Sequence, residues 1–120
     1  MNFISIDVET ANADVSSICQ IGLAEYQNSE LVDEWVVLVD PEEDFDFMNI
    51  MIHGIDEDDV EGAPTFNDVY PQLFNRVADK VVLCHTSFDR TSITRAAHKY
   101  GQSSPNCTWL DTSRVARRTW

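Results

Sequence analysis

At 120 residues the chain has the length of a single domain, enough to bury roughly two-thirds of its unfolded surface. Its 43% hydrophobic and 10% aromatic content excludes a disordered chain, and no apolar run approaches the ~20 residues that a membrane span needs. The net charge of −13 is unevenly spread: residues 1–75 hold 18 Asp and Glu and no Lys or Arg, whereas residues 76–120 hold all 8 basic residues and 3 acids.

The first predicted element is a strand over residues 3–10, Phe3-Ile4-Ser5-Ile6-Asp7-Val8-Glu9-Thr10. Alternation puts Ile4, Ile6 and Val8 on one face and Ser5, Asp7 and Glu9 on the other. Asp7 and Glu9 then stand about 6.5 Å apart along the strand. Two like charges at the end of an apolar run repel each other and resist burial, so a positive group belongs between them. A hard divalent cation, Mg²⁺ or Mn²⁺, suits carboxylate oxygens. Taken alone, an Asp-x-Glu is more often the start of a solvated loop.

Residues 18–26 and 31–39 read as two further strands, joined as a hairpin by Gln27-Asn28-Ser29-Glu30. Gly22 inside its strand points to a bulge or a close backbone approach, and Asp40-Pro41 ends the third strand. Residues 40–61 carry 10 of the 21 acids and read as an irregular, solvated connection around one apolar island, Ile52-His53-Gly54-Ile55. Asp56-Glu57-Asp58-Asp59 reads as a helix start, where acids suit the positive end of the dipole.

From Thr65 onward, Phe66, Val69, Tyr70, Leu73, Phe74 and Val77 recur at helical spacing. Pro71 within this stripe implies a bend or a late start. Val81-Val82-Leu83-Cys84 is wholly apolar, as in a buried central strand. Ser87 is the expected N-cap of the next helix, with Ile93, Ala96, Ala97 and Tyr100 on its packed face and Gly101 as its stop. Asp89 falls in its first turn, where an acid complements the dipole without any catalytic role. A fifth strand over residues 107–110 follows, and Asp111-Thr112-Ser113 begins another helix. The pattern is an α/β fold, a mixed five-stranded sheet with flanking helices. Cys19, Cys84 and Cys107 form no Cys-x-x-Cys pair and sit among apolar neighbours, as reduced core thiols do. With no basic leader before an apolar stretch, a cytoplasmic location and no membrane contact are expected.

Asp7 and Glu9 at the end of one strand and Asp89 after a central strand can converge, because open α/β sheets bind ligands at the carboxyl ends of their strands. Three carboxylates there suit a two-metal site, with ions about 4 Å apart acting on a phosphodiester. Such a site repels a phosphate backbone unless metals fill it and basic groups flank it, which the charge split permits. A solvated acidic surface is the commoner meaning of acidic excess.

Phe3 to Thr10, Cys19-Gln20-Ile21-Gly22, Ile52-His53-Gly54-Ile55, Ala63-Pro64-Thr65-Phe66 and His85-Thr86-Ser87-Phe88-Asp89 follow one another as in a known family. In order and spacing they resemble the DnaQ-like (DEDDh) 3′–5′ exonucleases, the family of the proofreading epsilon subunit of DNA polymerase III, over nearly the whole chain. The resemblance implies a ribonuclease-H-like fold and hydrolysis of phosphodiester bonds from a free 3′ end of nucleic acid. It implies that Asp7, Glu9 and Asp89 ligate two Mg²⁺ or Mn²⁺ ions, and that Thr10 touches the terminal nucleotide with the backbone of Ala11 and Asn12 nearby. Phe88 and the island that holds His53 would line the pocket for the terminal bases. Arg90, with Arg95 and Lys99, is the first candidate for phosphate contacts, and a DNA polymerase subunit is the implied partner. Thr86 stands where the family commonly has Asn.

The family's last motif is a His followed five residues on by an Asp, carried by a late helix; the His is the general base and the Asp the fourth metal ligand. His98 and Asp111 are thirteen residues apart and fall before its expected place. Residues 1–120 are therefore expected to be the N-terminal part of one exonuclease domain with its C-terminal part missing. Such a chain would be weakly active or inactive, with exposed apolar surface that favours self-association. His53, His85 and His98 are expected to be structural or rim residues. The alternative reading is a catalytically silent module that binds nucleic acid or a protein. Three retained, mutually repelling acids favour the nuclease.

Overall fold

The computed structural model of the chain describes residues 2–112; most of the helix expected from Asp111 lies outside them. Phe3–Thr10 (β1), Ile18–Gln27 (β2) and Glu30–Leu38 (β3) are followed by Phe47–His53 (α1), Phe66–Val77 (α2), Val81–Cys84 (β4), Ser87–Lys99 (α3) and Thr108–Asp111 (β5). The strands form one five-stranded sheet in the order β3-β2-β1-β4-β5. The β1–β2–β3 meander is antiparallel, and β4 and β5 add in parallel beside β1. This is the mixed sheet that the sequence pattern implies.

Alternation along β1 decides which face is covered. Ile4, Ile6 and Val8 are buried with Ile21, Leu23 and Val82 of the neighbouring strands, while Ser5 and Asp7 are exposed. Against the buried face lies one core with Phe66, Val69, Leu73 and Val77 of α2 and Ile93, Ala96 and Ala97 of α3. α2 starts directly after Thr65, whose hydroxyl and the Asp68 carboxylate form a reciprocal capping box. Its start is therefore not late. Pro71 lies inside the helix, and its missing N–H leaves the Asn67 carbonyl without a ladder partner. The other bounds shift by a residue: Thr86 caps α3 by accepting the Phe88 N–H, and β5 runs to Asp111.

Three sequence expectations fail here. Residues 40–61 are not all irregular, because they contain α1, which buries none of its residues and so leaves no apolar stripe to read. Asp56 to Asp59 do not start a helix: the Asp56 carboxylate accepts the N–H groups of Asp58 (3.0 Å) and Asp59 (3.1 Å), a local turn that competes with helix. Gly22 pairs in regular register with Asp7, and the bulge lies instead between Glu9 and Thr10, opposite Gln20 and Ile18. A Cβ on Gly22 would meet the Asp7 carbonyl at 3.8 Å, ordinary contact. The residue skipped by the bulge, Cys19, joins Ile55 and Val60 in a second small core that holds the acidic connection.

The cysteines are free thiols, two buried and Cys107 half-buried. No helix among the described residues is long and apolar enough to cross a membrane.

Candidate metal and nucleic-acid site

β1 outruns its parallel neighbour. It pairs with β4 only at Ile4 and Ser5, so its next residues edge a gap where the chain leaves β4 for α3. The Val8 N–H in this gap would lack a strand partner, and the Asp89 carboxylate supplies one: its Oδ1 accepts the Val8 N–H at 3.0 Å. Asp89 is only 5% exposed. It is the third residue of α3, so the tight Thr86-capped turn after Cys84 brings it back to the end of β1.

Burial is the main force on this carboxyl, pushing its pKa up to about 6; the Val8 N–H opposes that shift, and Asp7 and Glu9 add to it. Glu9 is also pushed upward, by burial and then by Asp7, with His53 opposing. None of the ion pairs among the described residues involves any of the three acids. Asp7, His85 and Asp89 line a cleft of about 520 Å³ at the gap, with Ser5, Leu83 and Cys84. Glu9 is not part of its lining.

Clustered carboxylates without an ion pair, two of them, Glu9 and Asp89, made harder to ionise by burial and by Asp7, have the chemistry of a hard divalent-ion site. Their convergence is incomplete, since among the described residues no three His, Cys, Asp or Glu side chains are placed to hold an ion. The donor set fits Mg²⁺ or Mn²⁺ in kind, without a closed cage.

The remaining candidates divide. Thr10 and Ala11 are buried, Thr10 as the next position after Val8 on the buried side of β1, so neither offers a free polar group to the cleft. The Ala11 N–H donates to the Ser17 carbonyl at 2.7 Å, and the Ala11 carbonyl accepts from Asp46 N at 2.8 Å. Asn12 is equally occupied: its N–H donates to Ser17 Oγ, and its amide to Glu43 and the Asp44 carbonyl. Both His53 nitrogens are used, Nε2 at 2.8 Å from the Thr10 carbonyl and Nδ1 accepting the Ile55 N–H at 3.0 Å. The apolar island splits, with Ile55 8% and Ile52 80% exposed.

Phe88, Arg90 and Arg95 stand exposed on α3. Lys99 is tied to Glu43 at 2.5 Å.

One residue was missed by sequence reasoning. Asn49 Nδ2 lies 3.1 Å from the Thr10 carbonyl, 3.3 Å from Thr10 Oγ1 and 3.2 Å from the Asn12 carbonyl. A signal existed: Asp46 accepts the Met48 N–H as N-cap, and Gly54 adopts the left-handed C-cap conformation at φ 76°. Together they bracket a short helix that puts Asn49 and His53 on one face.

A model of the RNase_T exonuclease family matches residues 4–120. The chain belongs to this exonuclease family. It is 29% identical over 121 residues to a PolC-type DNA polymerase III of Caldanaerobacter subterraneus subsp. tengcongensis, covering 98% of the chain and 9% of that protein. The PolC-type enzyme of Clostridium perfringens is 26% identical, with 96% and 8% covered. The chain thus spans about a tenth of the length of these relatives. Among solved structures, exonuclease X in complex with 5′ overhanging duplex DNA superposes with a TM-score of 0.77 at 23% identity, covering 98% of this chain and 64% of that one. E. coli exonuclease I in complex with a dA16 oligonucleotide gives 0.81 at 15% identity, covering 98% and 29%. The fold is the ribonuclease-H-like fold of these exonucleases.

Proposed function

We propose that this exonuclease-family chain acts in metal-dependent 3′–5′ hydrolysis of nucleic acid, with Asp7, Glu9 and Asp89 as the metal-binding carboxylates. The observation that carries the reading is Asp89, a buried carboxylate with two acidic neighbours and, among the described residues, no ion pair. A purely structural acid at a helix start would sit exposed to solvent or against a cation. Two divalent ions held there would supply Lewis-acid activation of the attacking water and of the leaving oxygen.

The chain's own residues then do the positioning. Val8 N–H fixes one Asp89 oxygen and leaves the other for a ligand. Arg90 and Arg95 offer phosphate contacts on the exposed side of α3, and Phe88 together with Ile52 on α1 offers apolar surface for the terminal bases. A substrate with a free 3′ end and an association with a polymerase are part of the same reading, supported by the similarity to PolC-type DNA polymerase III. A silent binding module would account for the exposed α1 face but not for a buried Asp89 with two acidic neighbours and, among the described residues, no ion pair.

The test uses a 5′-fluorescein single-stranded oligonucleotide with Mn²⁺ or with EDTA. Shortening from the 3′ end that needs Mn²⁺ and is lost in Asp89→Asn is the expected outcome. Oligonucleotide binding with neither shortening nor saturable Mn²⁺ binding would favour the silent module.

A further inference from the structure

α1 is built the wrong way round for a surface helix. Phe47, Met48, Met51 and Ile52 are between 65% and 80% exposed, and no residue of the helix is buried. What fixes it is polar. Asn49 and His53, one turn apart, both donate to the Thr10 carbonyl, from Nδ2 at 3.1 Å and Nε2 at 2.8 Å. The Ile55 N–H donating to Nδ1 orients the ring and places its proton on Nε2. The N–H of the same Thr10–Ala11 peptide donates to the Ser17 carbonyl at 2.7 Å. One peptide at the end of β1, immediately after Glu9, is therefore held from both sides.

We propose that Asn49 and His53 are positioning residues of the nuclease site, locking the Thr10–Ala11 peptide and so fixing Glu9 relative to the apolar surface of α1. The inference rests on the exonuclease reading and adds to it the part that sets substrate against carboxylates. It follows from the connectivity. The outer face of α1 is where bases would lie, and Glu9 is where the metal would lie. Between them run Thr10 and Ala11, tied to α1 by these two side chains and by the Asp46 N–H on the Ala11 carbonyl. Bases seated on α1 while the anchors are broken would still bind, but their scissile phosphate would be out of place. A misplacement of about 1 Å costs roughly 10²-fold in rate. A role in stability alone would instead lower the melting temperature and leave the rate of the folded fraction intact.

The experiment compares the wild-type chain with Asn49→Leu, His53→Leu and His53→Gln. It measures three quantities: affinity for a fluorescein-labelled oligothymidylate in Ca²⁺, single-turnover shortening in Mn²⁺, and Mn²⁺ affinity by calorimetry. Because α1 contributes no buried side chain, all three variants should stay folded, and the Leu variants should lose only the stability that the deleted hydrogen bonds contribute, so rates are compared per folded chain. Both Leu variants should lose about 10²-fold in single-turnover rate with unchanged oligothymidylate affinity, and should bind Mn²⁺ more weakly. His53→Gln, whose amide can still donate to the Thr10 carbonyl, should keep most of the rate. Leu variants as fast as wild type overturn the positioning role while leaving the exonuclease reading standing. A loss confined to affinity, or a Gln variant as slow as the Leu variant, overturns it too. Should the wild type bind without shortening, unchanged Mn²⁺ affinity in both Leu variants overturns the positioning role; a wild-type chain that binds neither Mn²⁺ nor the strand overturns the exonuclease reading and this role together.

Discussion

α1 and α2 are neighbours in sequence and opposites in construction. α2 buries Phe66, Val69, Tyr70, Leu73 and Val77, so apolar burial holds it and polar groups face water. α1 buries nothing; hydrogen bonds from Asn49 and His53 to the end of β1 hold it, and its apolar side chains face water. A helix of the first kind is part of the fold. One of the second kind displays a surface, because contiguous exposed apolar side chains mark an interaction site more often than a packing accident.

Substitutions on the two helices should separate these roles. Leu73, fully buried, should cost 2–5 kcal/mol of stability when changed to Ala, roughly the range for deleting a core leucine; urea melts measure it. Ile52→Ser, at 80% exposure, should leave stability within about 0.5 kcal/mol yet weaken binding of a single-stranded oligonucleotide. A stability loss at Ile52 as large as at Leu73 would break the comparison.

A smaller effect should come from Asp89. Its folded-state pKa is pushed up to about 6, above the ~3.9 of an unfolded chain, so the folded state holds the proton more tightly. The contribution is present at low pH and is lost as pH rises from roughly 4 through 6. The melting temperature of the metal-free chain should therefore carry a falling component across that window. Asp89→Asn keeps an acceptor for the Val8 N–H and carries no charge, so it should lack that component and melt above wild type at pH 8. A variant that melts lower at pH 8 would mean that the charge is compensated in the folded chain. Smallest is the α2 cap: Thr65→Ala removes one side of the capping box and should cost about 1 kcal/mol with no change in Mn²⁺ binding.

Most of the architecture was legible because it follows from burial. The alternation of Ile4, Ile6 and Val8, the α2 stripe and the apolar run of β4 each report a core-facing side, and the sheet follows from them. α1 was missed for the complementary reason: a helix fixed by Asn49 and His53 shows no apolar periodicity toward the core, and only the Asp46 and Gly54 caps betray it. Gly22 points to a bulge or a close backbone approach, yet the register slips at Cys19, where no residue type announces it. At the site, Asp7, Glu9 and Asp89 could be named from spacing and resemblance. The burial of Ala11 could not, since it breaks the alternation that already puts Thr10 inside. Nor could the Val8 N–H that holds Asp89, since it depends on how far β1 runs past β4.

The central claim is that Asp7, Glu9 and Asp89 act as one divalent-ion site at the end of β1. Calorimetric titration of the folded chain with Mn²⁺, beside Asp7→Asn and Asp89→Asn, tests it most directly. Saturable binding is expected in the wild type, greatly weakened by either substitution, with protons released near pH 6 as the metal displaces them from Asp89. Equal affinity in all three chains, or no saturable binding in any, would contradict it.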